Sequence, residues 1–164
     1  ARAVEGFGGL DLLVANAGVG GRAPIQELEP GFWHDVIGTN LTGAFYSVKA
    51  SVDALVASRG MIVTIGSLAG ANFFAGGAAY NASKFGLLGF TQAVMLDLRE
   101  HGVRVSTIMP GSVATTFADR EVTDADAWKI DPADIADTVL YLLRMPARTL
   151  PSRIEVRPAR TSMG

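Results

Sequence analysis

The 164-residue chain contains no cysteine, which excludes disulfides, thiolate metal ligands and a cysteine nucleophile. Its two histidines, His34 and His101, are not at paired-ligand spacing, so no metal site is expected. Charge is scarce too: 18% of residues are Asp, Glu, Lys or Arg, and the net charge is −2. That balance gives no electrostatic grip on nucleic acid or on an anionic membrane. No apolar run approaches the roughly 20 residues of a membrane-spanning helix. Internal repeats, linkers and low-complexity tracts are absent as well. What remains is one α/β domain with an expected cytoplasmic location. At this length its apolar content can bury a sizeable core.

Strand and helix signals alternate along the chain. Leu10 to Ala15 reads as a buried strand closed by Asn16-Ala17-Gly18, and a glycine-rich loop follows to Pro24. Pro30 sits where it can open a helix through Phe32, Trp33, Val36 and Ile37, and helical patterning resumes from Leu41 to about Ala57. Met61 to Gly66 is a second, β-branched strand. Residues from about Ala78 to Glu100 form a long helix stopped by His101-Gly102. Val103 to Met109 is a third strand ended by Pro110-Gly111, and Asp131-Pro132-Ala133-Asp134 opens a last helix with a cap, a first-turn proline and an acid. Arg153 to Val156 can add a final strand. Apolar strands separated by helices predict a doubly wound parallel sheet, a Rossmann-type fold in one domain. Ligands bind such sheets beyond the carboxyl ends of the strands. Those ends carry Asn16-Ala17-Gly18, Ser67 and Pro110-Gly111.

One constellation points to a reaction type. Tyr80 and Lys84 are four residues apart on the long helix, so they share a face, and Ser67 ends the strand just upstream. An ammonium close to a phenol favours phenolate and is expected to lower the tyrosine pKa toward working pH, as a general acid or base requires. Each feature alone has a plainer reading: an exposed helix pair, a strand-end hydroxyl, an ordinary turn. The weight lies in their order and spacing. Asn40 precedes Tyr80 by 40 residues, and Ser67 precedes Tyr80 by 13.

With Asn16-Ala17-Gly18, Asn40 within Thr39-Asn40-Leu41-Thr42-Gly43, Ser67 within Ile65-Gly66-Ser67, Tyr80-x-x-x-Lys84 and Pro110-Gly111-Ser112-Val113-Ala114-Thr115, the chain resembles the short-chain dehydrogenase/reductase family over essentially its whole length. The resemblance implies an NAD(P)-dependent oxidoreductase, with NADP or NAD as cofactor, that interconverts an alcohol and a carbonyl. By the same resemblance, Tyr80 is the acid/base, Ser67 polarises the substrate oxygen, and Lys84 tunes the tyrosine and bonds the nicotinamide ribose. Asn40 holds a water in a proton relay. Asn16, Ala17 and Gly18 line the adenosine side of the cofactor site, while Pro110, Gly111, Val113 and Thr115 meet the nicotinamide. Asn72, Phe73 and Phe74, with Phe117 and Trp128 from the polar segment Thr116 to Lys129, are candidate walls of the substrate pocket. That segment is either a lid or a solvated loop.

Relatives associate through two helices, so the breadth of apolar surface at 41–57 and 78–100 predicts a homodimer or homotetramer. Trp33 is expected to be core or interface packing, and Gly86 and Gly89 to permit close helix contact. The resemblance also predicts a Gly-rich phosphate turn before the first strand, yet only Ala1 to Gly9, which read as a helix tail, come before it. The expectation is a C-terminal catalytic part of one Rossmann-type domain, residues 1–164, that binds dinucleotide poorly alone. The rivals are an epimerase or dehydratase on the same scaffold and a non-catalytic binding module.

Overall fold

The computed structural model describes residues 2–118 and 120–161. Ala1, at the expected helix tail, and Asp119, inside the Thr116 to Lys129 segment, lie outside that range. Four strands, β1 (Leu12–Ala15), β2 (Met61–Ile65), β3 (Arg104–Pro110) and β4 (Arg153–Val156), form one sheet in the order β1-β2-β3-β4, every pair parallel. Five helices connect and cover them: α1 (Arg2–Phe7), α2 (Pro30–Ile37), α3 (Gly43–Ser58), α4 (Ala78–Leu98) and α5 (Pro132–Arg144). The expected parallel α/β sheet is therefore present. Strand β1 starts at Leu12, two residues later than the apolar run suggests.

Alternation along the strands sorts the core into two layers. Ile62 and Val105 point to one face, where they pack with Val48 and Leu55 of α3 and Leu98 of α4. Met61, Val63 and Ile108 point to the other and pack with Leu142 of α5. Each fully buried side chain of this size contributes about 1.5–3 kcal/mol. The polar strand residues find partners inside the layers. The Thr64 and Thr91 hydroxyls pair at 3.0 Å, and the Ser106 hydroxyl donates to the Pro151 carbonyl at 2.7 Å.

Helix ends follow local chemistry. Asp131 caps α5 by accepting from Ala133 N–H at 2.8 Å, ahead of Pro132. At its far end the Arg104 guanidinium donates to the Leu142 and Met145 carbonyls at 3.3 and 3.2 Å. The interval expected between two helices is instead a π-helical turn, Gly38–Thr42, that joins α2 to α3 without a break. Asn40 sits at the centre of that wider turn, 1% exposed. Trp33 is 37% exposed, so it is not core packing. Gly86 faces α2–α3: a Cβ there would meet the Leu41 side chain at 2.8 Å, whereas Gly89 has nothing within 4 Å. Close helix contact thus explains the first glycine and not the second.

Candidate active site

A cleft of about 1670 Å³ runs along the carboxyl ends of the strands. From the end of β1 it receives Asn16, Ala17 and Gly18, and from the turn after β2, Ser67 and then Asn72, Phe73 and Phe74. Helix α4 contributes Tyr80 and Lys84, and the turn after β3 contributes Pro110, Gly111, Val113 and Thr115. Phe117 and Trp128 border it from the following loop. Of the candidate catalytic, cofactor and substrate-pocket residues, Asn40 is the one that is not part of the wall.

Asn40 lies behind the wall and binds it together. Its amide oxygen accepts from Val19 N–H at 2.8 Å, and its amide nitrogen donates to the Val19 carbonyl at 2.9 Å and to Ser83 Oγ at 3.0 Å. Ser83 Oγ in turn donates to the Tyr80 carbonyl at 2.8 Å. The π-helical turn thereby fastens the loop after β1 to the first turn of α4. A Cβ on Gly18 would lie 3.4 Å from Asn40 Oδ1 and 3.8 Å from Lys84 Nζ. Glycine there keeps that corner open. The Asn40 side chain thus braces the wall through both its amide oxygen and its amide nitrogen.

Ser67 is held by its own turn, accepting from Ala69 N–H at 3.1 Å. Asn81, buried beside Tyr80 on α4, secures the chain beyond: its amide donates to the Ala69 and Asn72 carbonyls at 2.7 and 2.8 Å and accepts from Phe74 N–H at 3.3 Å. Gly70 passes so close to α4 that a Cβ would sit 2.7 Å from the Lys84 carbonyl oxygen. These contacts set Ser67 against Tyr80.

The electrostatics differ from the expectation. Lys84 Nζ is 5.8 Å from the Tyr80 ring centroid and donates to the Ile65 carbonyl at 3.0 Å. Burial pushes the Tyr80 phenol above its usual value, and the Ser67 hydroxyl pulls only partly the other way. The expected depression by Lys84 is therefore corrected: desolvation of the phenol wins. The lysine is itself the strongly perturbed group, because burial lowers it from 10.5 to about 8. Lys84 has three N–H donors and one acceptor among the described residues, so two donors are available to a bound hydroxyl group. That donor set fits a ribose.

The loop from 114 to 129 is neither free nor featureless. Its ends are joined by a bridge between Val113 and Ile130, with Ala114 N–H on the Ile130 carbonyl and Ile130 N–H on the Ser112 carbonyl. Inside it, the turn Asp124–Asp126 carries a capping box with Thr123, and Asp126 pairs with Lys129 and with Arg120, the latter at 3.2 Å. The Lys129 hydrogen bond, then that from Thr123 N–H, holds the Asp126 carboxyl below its usual range. Phe117 lies over Tyr80, ring centroids 5.9 Å apart. It fits there because residue 20 is glycine: a Cβ would come within 2.7 Å of the Phe117 ring. Gly20, Asn81, Ser83 and Asp126 carry no recognisable motif. Only their place beside motif residues in the sequence could have drawn notice.

The short chain dehydrogenase family profile matches residues 1–126. The chain belongs to that family. Trans-4-hydroxycyclohexanecarboxylate dehydrogenase of Sinomonas cyclohexanicum is 42% identical over 113 residues, which are 69% of this chain and 44% of that protein. This short-chain dehydrogenase chain thus spans less than half the length of that curated relative. Among solved structures, an alcohol dehydrogenase from the archaeon Thermococcus sibiricus complexed with 5-hydroxy-NADP superposes with a TM-score of 0.90 at 26% identity, covering 96% of this chain and 67% of that one. Carveol dehydrogenase from Mycobacterium avium in complex with NAD superposes with a TM-score of 0.86 at 28% identity, covering 96% and 67%.

Proposed function

We propose that this chain is the catalytic part of an NAD(P)-dependent oxidoreductase that interconverts an alcohol and a carbonyl, with Tyr80 as the acid/base. The observation that carries the reading is the convergence of Ser67, Tyr80 and Lys84 on one cleft, braced from behind by Asn40. The names of the three relatives described above, each a dehydrogenase, support it.

The residues divide the work. Tyr80 exchanges a proton with the substrate oxygen at its phenol, while Ser67, fixed by Ala69 N–H, positions that oxygen. Lys84 keeps two donors for the cofactor ribose, and its charge, once a second hydrogen-bonded group shares the pocket, stabilises phenolate. Asn40 sustains the arrangement from the π-helical turn, where the wider turn leaves backbone carbonyls able to hold a relay water. Asn16, Ala17 and Gly18 would line the adenosine side of the cofactor, and Pro110, Gly111, Val113 and Thr115 the nicotinamide side. Bound there, NADP or NAD supplies the hydride acceptor or donor. Phe117 over Tyr80, with Phe74 and Trp128, gives the reacting end of the cleft an apolar wall, and Phe73 stands exposed at its border.

The same reading makes the protein a cytoplasmic homodimer or homotetramer joined through residues 41–57 and 78–100. Phe45, Tyr46, Phe85 and Leu96 are exposed on those helices, as such a contact would require. The test is a panel of secondary alcohols offered to the native full-length protein with each cofactor, followed by the near-ultraviolet absorbance of reduced nicotinamide. Stoichiometric cofactor reduction is expected. Substrate conversion with no net change in cofactor would replace the reading with an epimerase or dehydratase.

A further inference from the structure

The sequence motifs give Arg22 no part, and acid/base chemistry at Tyr80 does not use it. Its guanidinium carbon nevertheless lies 4.8 Å from the centroid of the Phe74 ring, and both residues border the cleft that holds Ser67 and Tyr80. The segment is tied down, since Ala23 N–H donates to the Gly76 carbonyl at 3.0 Å in the loop that follows Ser67. A Cβ on Gly20 would come within 3.3 Å of Tyr80. Arg22 is two residues farther, at most about 7 Å of extended chain. One short loop thus carries Gly20 at Tyr80 and Arg22 at Phe74.

The cation–π contact with Phe74 holds the exposed guanidinium at the cleft wall and leaves N–H groups free to donate. Four arginines border the cleft, of which Arg120 is committed to Asp126 and Arg157 to Glu155. Arg22 and Arg160 have no carboxylate partner among the described residues. Arg160 follows Pro158, which lies against Gly111 on the wall after β3. Arg22 alone is held on the aromatic wall beside Ser67. A planar cation without a counter-charge, oriented at an apolar wall, suits bidentate capture of a carboxylate.

We propose that Arg22 anchors a carboxylate of the substrate, which makes the substrate a hydroxy acid, or the matching oxo acid, with a compact apolar body between its two polar ends. The oxidoreductase reading is needed only for the alcohol end; the carboxylate end rests on Arg22.

Cyclohexanecarboxylate and cyclohexanecarboxamide separate the two parts, because neither carries an alcohol to oxidise. Their binding to the native full-length protein, measured by saturation-transfer NMR with saturating NAD(P), is expected to favour the carboxylate about ten-fold, as a charge-assisted pair gains over a neutral one. Arg22→Gln is expected to abolish the preference and Arg22→Lys to keep part of it. Tyr80→Phe keeps all of it. Equal binding of the two ligands, binding by neither, displacement of the carboxylate by the cofactor, or an intact preference in Arg22→Gln would each overturn the proposal. An intact preference in a wild-type protein that turns over no alcohol would refute the redox reading and leave the anchor standing.

Discussion

Lys84 offers a test in which the sign of the effect reverses ordinary expectation. Its side chain is 5% exposed, and burial lowers its pKa from 10.5 to about 8. The unfolded chain therefore holds this proton up to 10.5, and the folded one releases it near 8. Between those values the unfolded state binds more protons, so stability rises with pH. Below pH 8 both states are charged and the cost of burying the ammonium is present in full, about 3 kcal/mol at about 1.4 kcal/mol per pKa unit. Lys84→Met removes that cost and forfeits the hydrogen bond to the Ile65 carbonyl, a loss of about 1 kcal/mol. Near neutral pH the variant should thus be the more stable protein, by about 2 kcal/mol. Near pH 10 the wild-type amine is mostly neutral, and the advantage should shrink by a similar amount or vanish. Urea unfolding of wild type and variant at the two pH values reads both numbers. A difference that does not change with pH would show that Lys84 titrates as an exposed lysine and refute the reasoning. Loss of turnover in the stabilised variant would mark the ammonium as kept for chemistry rather than folding.

Two glycines should behave oppositely on replacement by alanine. Gly70→Ala drives a Cβ into the Lys84 backbone carbonyl and should cost about 2 kcal/mol or more in chemical denaturation. Gly20→Ala meets the outer edge of the Phe117 ring and, at 3.3 Å, Tyr80 Cδ2; stability should hold within about 1 kcal/mol while Phe117 leaves Tyr80 and KM rises more than kcat falls. Asp126→Ala removes the shared partner of Lys129 and Arg120 and should raise KM several-fold with a smaller change in kcat. Because the Asp126 carboxyl is held below its usual range, its contribution persists above that range and is lost only as pH falls through the lowered value, which a pH series of melting temperatures on wild type and variant can follow.

Much of the fold was legible because it follows from local rules. The β-branched run at Met61 to Ile65 is buried on both faces, and Asp131-Pro132 opens α5 as its residue types dictate. The cleft was legible because the polar and glycine residues at the strand ends recur in one order and spacing, though each alone has a plainer use. Harder to read was whatever depends on distant backbone. No local signal distinguishes the π-helical turn at Gly38–Thr42 from a break between helices, since the turn is stabilised by Asn40 reaching Val19 and Ser83 far along the chain. The rise of the Tyr80 pKa was invisible for the same reason: spacing reveals Lys84 nearby, but not how deeply the phenol is buried. Gly20 and Arg22 acquire meaning only through Phe117 and Phe74, which lie across the cleft.

The central claim is that the phenol of Tyr80 moves the proton. Tyr80→Phe in the native full-length protein removes that hydroxyl and leaves the ring against Phe117, so nicotinamide binding by fluorescence titration should be unchanged while turnover of an active alcohol falls by about 10²–10⁴-fold. Turnover within a few-fold of wild type, with cofactor binding intact, would contradict the account.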